Sequence, residues 1–218
     1  MKIKFRNYLP VLILFLSIQN LYSQVRLGVH GGLNLSSVSF RNLNIFGSGI
    51  STGIGFLPAY SFGIDINYKI VDNYSFSSGI NYSVKGYKVT SFGVRENYYY
   101  SYLEVPFLFS YKPQNISVDI GPYVSFALNE VIKNSLVDNI NYGRVGNSQA
   151  DGDTLKPLDL GIKLGLGFDL KNLLFKSSIA FGISNVWPGR SGNSVKNIST
   201  EFLFGIPLYL FNEKDKKK

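Results

Sequence analysis

The sequence has 218 residues, a formal net charge of +8 and only 17% charged residues. Soluble domains usually carry about 25% charged residues, whereas this chain is rich in Gly (22), Phe (17) and Tyr (15). The absence of Cys excludes disulfides, thiolate nucleophiles and a lipid-anchored cysteine. Much of the positive charge lies in the two terminal segments and no basic stretch is interleaved with aromatics, so nucleic acid is not an expected partner.

The first segment, residues 1–23, has a basic start followed by an apolar run from Leu9 to Ile18. This run is too short to span a bilayer and indicates a cleavable signal peptide. Leu21 departs from the small residue expected near the cleavage site, so that site stays open. The remaining chain is predicted to hold one barrel domain over residues 24–211 and a charged tail over residues 212–218.

Apolar and polar residues alternate strictly through most of the remaining chain, and a period of two predicts β-strands. The clearest pair flanks the polar turn 112–115. Before the turn, Leu103, Val105 and Phe107 share one face, and the alternation continues after it. Eight strands are predicted, at residues 25–36, 57–70, 74–86, 98–111, 116–128, 158–170, 173–184 and 198–211.

The connections between these strands alternate in length. Short turns lie at residues 71–73, 112–115 and 171–172, and long loops are expected at residues 37–56, 87–97, 129–157 and 185–197. An even number of strands with short turns on one side is typical of outer-membrane barrels, whose short turns are periplasmic. The expected fold class is therefore all-β, an eight-stranded antiparallel up-and-down transmembrane β-barrel in outer-membrane lipid, with both termini periplasmic.

Alternation alone does not decide which face of the barrel is outside. A soluble lipocalin-like barrel that binds a ligand also alternates, with its apolar side chains inward. Here the polar rows consist mainly of Gly and Ser, and the bulky apolar rows would overfill a small interior. The sequence therefore favours apolar rows that face lipid and polar rows that face the lumen.

With the polar faces inward, the lumen would hold acidic and basic residues together. Buried charges must be paired, so the hypothesis is an ionic network that fills the barrel. A narrow pore for ions or small solutes is the alternative, although eight strands leave an interior only wide enough for side chains. The predicted network comprises Arg26, His30, Asp65, Lys69, Lys85, Glu104, Asp119, Asp159, Lys163, Asp169, Lys176 and Glu201.

No catalytic, metal or cofactor motif is expected in this chain. A Ser-His-Asp site would need His30, the one histidine, but its position within a strand predicts a structural lumen residue instead. The sequence from Asp151 to Asp153 lacks the other carboxylates of a calcium loop. No phosphate-binding, dinucleotide or zinc motif appears, so no enzyme activity and no cofactor are predicted.

Aromatic residues beside the short turns predict a girdle at the periplasmic interface. The proposed girdle consists of Tyr68, Tyr74, Phe109, Tyr111, Phe168 and Phe175. Residues 98–100 and Trp187 are expected to form the outer girdle. The connection at residues 129–157 exceeds the usual loop length and is the best candidate to cap the barrel or bind a partner.

Four motifs carry a resemblance to a known family: Tyr102-Leu103-Glu104-Val105-Pro106 with Tyr111, Gly121-Pro122-Tyr123-Val124, Asp159-x-Gly161-x3-Gly165-x-Gly167, and Gly182-Ile183-Ser184-Asn185. With these motifs the chain resembles the PorT-like outer-membrane β-barrel family of Bacteroidota. Most members of that family have no assigned activity, and its name-giving member belongs to the type IX secretion and gliding apparatus. The lysine-rich tail departs from barrels that end on an aromatic, and residues 204–211 are the expected assembly signal.

The sequence and the resemblance together predict a non-enzymatic, monomeric outer-membrane barrel that serves as a scaffold or binds envelope proteins. The resemblance implies an accessory role in type IX secretion or gliding. The alternatives that stay open are a narrow pore and a soluble, ligand-binding barrel.

Overall fold

The computed structural model describes residues 25–41, 53–91, 93–135, 140–170, 172–189 and 194–208. The predicted signal peptide, the charged tail and the last residues of the predicted eighth strand lie outside these ranges. No helical segment within them combines the length and the hydrophobicity that a transmembrane helix needs.

The described chain folds almost entirely into β-strands, because its period-two alternation continues over long stretches. Helical structure within the same ranges is confined to a 3-10 turn at Gln149–Asp151. In chain order the strands are β1 Val25–Arg41, β2 Gly53–Gly55, β3 Leu57–Val71, β4 Tyr74–Ser91, β5 Val94–Tyr111, β6 Ile116–Asn134, β7 Ile140–Gly143, β8 Leu158–Leu170, β9 Leu173–Gly182 and β10 Ser194–Leu208.

Eight of these strands close into a ring in which each long strand pairs antiparallel with the next one along the chain. β10 returns to β1 and closes the ring through a long ladder that runs from Leu27↔Leu208 to Arg41↔Ser194. The two short strands lie outside the ring, with β2 on β4 and β7 on β6. The predicted eight-stranded up-and-down barrel is therefore confirmed.

The two ends of the barrel differ. At one end, the turn end, the connections are the short turns at residues 72–73 and 112–115 and the two-residue connection between Leu170 and Leu173. The 112–115 turn is tied to both sides: the Lys112 amide donates to the Asn73 carbonyl of the first turn at 2.7 Å, and the Asn115 carbonyl accepts from the Asp169 amide of β8 at 2.8 Å. The opposite end, the loop end, carries the connections from β1 to β3, from β4 to β5, from β6 to β8 and from β9 to β10.

All four connections at the loop end contain more strand than predicted; β1 runs on to Arg41 and β10 begins at Ser194. The prediction of a loop at residues 87–97 is wrong, because β4 and β5 remain paired as far as Ser91↔Val94. β6 likewise runs on to Asn134, and β7 folds back onto it. Apolar and polar residues no longer alternate there, as at the adjacent Val131 and Ile132, so the period of two fades in the sequence while backbone hydrogen bonds continue the strands.

The two faces of the wall have opposite character. Large apolar side chains point outward on all eight strands of the ring; Phe62 is 52% exposed and Leu166 59%. The polar side chains of the inner rows, such as Ser83 and Ser125, are fully buried. A water-soluble barrel would have the reverse arrangement, so the soluble lipocalin-like alternative is wrong.

Candidate functional site in the barrel lumen

The barrel lumen contains three successive layers of side chains. An apolar plug closes the loop end, a cluster of five charged side chains occupies the centre, and a polar cavity lies toward the turn end. Inward-facing residues of several strands contribute to each layer, because alternate residues along a strand point to the same face. Connections add Leu155 and Val186 to the plug.

The central cluster consists of Lys85, Glu104, Asp159, Lys163 and Glu201. Glu104 is fully buried and bridges two lysines, with Lys85 Nζ at 2.7 Å and Lys163 Nζ on its other carboxylate oxygen. Lys163 also pairs with Glu201 at 2.8 Å, and Lys85 reaches Asp159 at 3.4 Å. The cluster thus connects β4, β5, β8 and β10 across the barrel through alternating charges.

Two tyrosines enclose the ammonium group of Lys85. It lies 4.3 Å from the ring centroid of Tyr123 and 5.2 Å from that of Tyr102, distances at which a cation is attracted to an aromatic face. Gly161 makes room for this arrangement, since a Cβ at that position would lie 2.5 Å from the Tyr123 ring. A lumen glycine therefore allows a long side chain from the neighbouring strand to lie against the wall.

Two smaller ionic groups lie between the cluster and the turn end. Asp65 accepts from Lys176 Nζ at 3.1 Å and contacts His30 Nδ1. Asp169 accepts from Lys112 Nζ at 2.5 Å and pairs with Arg26 through both carboxylate oxygens.

One residue of the predicted network, Lys69, does not join the lumen ion pairs. Lys69 is exposed at the end of β3, where the β3–β4 ladder shifts register between Lys69 and Val71, and it makes no ion pair with the described residues. Lys112, predicted as part of a turn, takes a place in the lumen by reaching back to Asp169. Its long, flexible side chain enters the lumen from a turn position, which a period-two pattern does not indicate.

Asp119 differs from the other lumen carboxylates. Ser110 lies directly opposite it on β5, and no cation of the described residues lies within ion-pair distance. The structure places Asp119 in the lumen but outside the ion-paired groups.

Asp119 lines a cavity of about 110 Å³ that occupies the turn-end half of the barrel. The lumen glycines Gly165 and Gly167 form part of its wall, so the lack of side chains on β8 creates this space. Its inner end is formed by Lys163 and Glu201 of the central cluster. Toward the turn end its lining includes the partly exposed Arg26 and Lys112.

The loop-end plug is an apolar cluster that sequence reasoning missed. Its members are Val38, Tyr100, Tyr102, Leu155, Val186 and Val195. Leu155 and Val186 come from connections rather than strands, and the Lys156 amide donates to the Val186 carbonyl at 2.7 Å. Leu155 stands in a polar stretch, so no periodic signal marks it; the prediction that the 129–157 connection caps the barrel was the nearest indication.

The expected outer aromatic girdle is not found at the predicted positions. Tyr100 is buried in the plug, and Tyr98 and Trp187 pack against it. The aromatics near the turn end lie on the outward face: Tyr74 stacks with Phe109 at a centroid distance of 5.6 Å and packs at a tilt against Tyr111 at 5.0 Å. In the same region Phe168 is opposite Phe175, and Tyr68 is opposite Phe76.

The described residues do not assemble a recognisable catalytic or metal centre. His30 Nε2 is buried and has no hydrogen-bond partner among them, so no Ser-His pair forms there. Asp153 accepts from the Ser148 amide at 3.0 Å and closes a surface turn rather than a calcium loop. No group of three or more metal-ligating side chains occurs within the described ranges.

Comparison with solved structures finds chains that align with this one over most of their length. Ail of Yersinia pestis has 10% identity and a TM-score of 0.45, with 85% of this chain and 99% of that chain covered. Neisserial surface protein A has 11% identity and a TM-score of 0.45, covering 83% and 96%. OprG from Pseudomonas aeruginosa has 14% identity and a TM-score of 0.40, covering 85% and 97%.

A search of curated protein sequences gave no match. The profile of the outer membrane protein beta-barrel domain, in contrast, matches residues 18–187, which is most of the chain. The match agrees with the closed ring, the lipid-compatible outer face and the polar lumen described above. The chain belongs to the outer membrane protein beta-barrel domain family and is an outer-membrane β-barrel protein.

Proposed function

We propose that this protein is a closed, non-conducting and non-enzymatic outer-membrane barrel that serves as a scaffold and binds partner proteins at its loop end. The turn end and both termini face the periplasm in this proposal, since short turns are periplasmic in bacterial barrels of this type. The barrel acts as a monomer, because the closed ring has no free edge among its eight strands.

The observation that carries the proposal is the filled lumen. A solute that entered through the turn-end cavity would meet the central cluster. There Glu104 is fully buried and forms ion pairs with Lys85 and Lys163. Beyond that cluster, Leu155 and Val186 close the loop end. Conduction would require breaking buried ion pairs, which costs several kcal/mol, so the narrow pore is the weaker alternative.

The partner surface is the sheet that continues beyond the apolar band at the loop end. It consists of β2, β4, β5, β6 and β7, with β7 at one edge. Tyr142 on β7 is 75% exposed and Ile140 is 50% exposed. A rigid scaffold that presents exposed aromatic and aliphatic side chains in water favours protein binding.

The resemblance to the PorT-like family supports a finer assignment. It points to proteins of the type IX secretion and gliding apparatus as the partners, and to a role as an accessory barrel of that apparatus. The motifs that carry it include Glu104 and Asp159 of the central cluster and Gly161 beside Tyr123.

Planar-bilayer recording tests whether the barrel is closed. The purified protein is expected to give no current above background over a voltage ramp, while an open porin inserted under the same conditions gives stepwise conductance. Reproducible single-channel steps from the folded barrel would favour the narrow pore and would overturn the closed barrel.

Site-specific cross-linking in native outer membranes tests partner binding. A photo-reactive amino acid at Tyr142 is expected to give a discrete protein adduct, and mass spectrometry would show whether the adduct is a component of the secretion apparatus. The same label at Phe181, which is exposed on the ring wall, serves as the control and is expected to react with lipid. Absence of a protein adduct at Tyr142 would argue against the loop-end surface.

A further inference from the structure

We propose that a basic patch at the loop end binds a phosphorylated glycolipid of the surrounding membrane. The patch consists of Lys88 on β4, Arg95 on β5 and Lys133 on β6. The inference goes beyond the scaffold role; it rests on the exterior position of the loop end in the proposed function, but not on partner binding. Three features of the patch support it: its place on the outward face, its unopposed charge and its height above the apolar band.

The three cations share the outward face of the sheet that extends beyond the apolar band. In the ladders of β5, Asn97 is opposite Lys88 on one side and opposite Lys133 on the other. Arg95 is two residues from Asn97 along β5 and therefore points to the same side. That side is the outward one, because Tyr100 of the alternate row is buried in the lumen plug. Adjacent strands are about 4.8 Å apart, so the three Cα atoms lie within roughly 10 Å of one another.

The positive charge of the patch has no counter-ion in the described part of the chain. Lys88, Arg95 and Lys133 form no ion pair there. The acidic residues on the same strand extensions are Glu96 and Glu130. Both stand in the rows that alternate with the patch, so their carboxylates point to the inner face of the sheet. Neighbouring cations without counter-ions attract an anionic ligand.

The patch continues the wall that faces lipid, which favours a lipid over an acidic protein as the anion. On β6 the outward row passes from the exposed Leu128, at the edge of the apolar band, through Val131 to Lys133. The Lys133 ammonium lies 5.3 Å from the ring centroid of Tyr99, which is opposite Val131 and hence nearer to the band. Tyrosines and lysines just outside an apolar band are typical of a membrane–water interface.

The height of the patch favours a large headgroup. Lys133 is five positions beyond Leu128; at about 3.3 Å per residue and a strand tilt of about 40°, its Cα lies roughly 12 Å above the band. Arg95 lies further still toward the loop end. The polar layer on each side of an ordinary bilayer is only about 5–7 Å thick, whereas a phosphate carried on a sugar headgroup stands higher. In an outer membrane such glycolipids occupy the outer leaflet, the side to which the proposed function assigns the loop end.

Native mass spectrometry of the full barrel in maltoside micelles tests the patch with diphosphoryl lipid A as the probe. The wild type is expected to retain the lipid saturably. Lys133→Gln is expected to weaken binding about fivefold, and the triple variant with Lys88→Gln and Arg95→Gln about a hundredfold, because each change removes one attraction between a cation and a phosphate. Lys133→Arg keeps the charge and is expected to bind like the wild type. Lys69→Gln is the matched control, since Lys69 is exposed at the turn end and loses the same charge outside the patch.

Three further probes discriminate the ligand chemistry. Lipid A without its phosphates keeps the sugars and acyl chains, phosphatidylglycerol carries one phosphate on a small headgroup, and a polyglutamate peptide carries negative charge without lipid. Each is expected to bind at least tenfold more weakly than diphosphoryl lipid A. Circular dichroism confirms that each variant is folded. The proposal is overturned if the wild type retains no diphosphoryl lipid A, if the triple variant retains it as well as the wild type does, or if any of the three probes binds equally well. Because these measurements use the purified barrel, their failure is distinct from the absence of a protein adduct at Tyr142.

Discussion

At the scale of single residues, the lumen depends on the pairing of each buried charge. Glu104 accepts from Lys85, Lys163 and the Ser125 hydroxyl, so its carboxylate has no free side. Desolvation of such a cluster costs several kcal/mol per ion, and only complete pairing compensates for it. Loss of one member would leave its partners charged in a low-dielectric interior, which makes the cluster sensitive to a change of a single atom.

Glu104→Gln is expected to lower the free energy of unfolding by about 3–5 kcal/mol, because Lys85 and Lys163 lose their shared carboxylate. Urea titration of the barrel in phospholipid vesicles measures this change. Glu96→Gln is the control, because Glu96 accepts from the neutral donors Tyr98 and Asn134, each at 2.9 Å. This substitution is expected to lower the free energy of unfolding by about 1 kcal/mol or less. Equal costs for the two variants would show that the ion pairs do not stabilise the fold.

The sequence predicted that these residues face the lumen, but it did not predict which side chains they contact. A period of two places Glu104 and Lys163 on the inner face of their strands. Which inner residues meet depends on the stagger of the ring, which brings together Lys163 and Glu104 at a separation of 59 positions. For the same reason the sequence did not distinguish Asp119, which lacks a cation, from Asp169, which has two.

At the scale of elements, the connection from β6 to β8 is a folded strap rather than a free loop. β7 pairs with β6, the turn at Gln149–Asp151 reverses the chain, and Leu155 enters the plug. Thr154, beside Leu155, donates to Glu130 of β6 and thereby ties the strap to the wall. A single buried apolar residue within a polar segment carries no periodicity, so the sequence predicted that a long connection lies here but neither where it begins nor how it folds.

The tie between Thr154 and Glu130 predicts a pH dependence. Glu130 lies beyond the apolar band, and burial raises the pKa of its carboxyl above the ordinary value, although the Thr154 hydrogen bond opposes the shift. The folded state then binds a proton more tightly than the unfolded chain does. Stability is therefore lost as the pH rises from the ordinary carboxyl range through the raised pKa.

Glu130→Gln keeps an acceptor for Thr154 and removes the charge, so it is expected to raise Tm at neutral pH and to have little effect near pH 4. Thermal unfolding of both proteins across this range measures the difference. The neighbouring Tyr87 stays neutral throughout, since burial raises its pKa to about 12. A difference in Tm that is constant with pH would contradict a buried, titrating Glu130.

At the scale of the whole molecule, the outward apolar rows form a continuous band around the ring. On β3 the row runs from Tyr60 to Ile70, and on β6 from Ile116 to Leu128. These lengths match the roughly ten residues that a tilted strand needs to cross a bilayer. The band could be predicted from the sequence because alternation is strongest where one face meets lipid. The loop-end extensions of β4, β5 and β6 could not be predicted, because both faces of these extensions meet water or loops.

The depth of the band can be tested on one strand. Ile64 lies near the middle of the β3 row, opposite Val29 and Ile80, while Ile70 lies at the turn end with about the same exposure. Ile64→Arg is expected to cost about 2–4 kcal/mol in bilayers and Ile70→Arg about 0–1 kcal/mol, because an arginine near the interface reaches water. Urea titration in vesicles measures both, and in detergent the difference is expected to shrink. Equal costs in bilayers would mean that this row does not cross the hydrocarbon core, whereas a gradient from Ile64 to Ile70 locates the membrane midplane on the barrel wall.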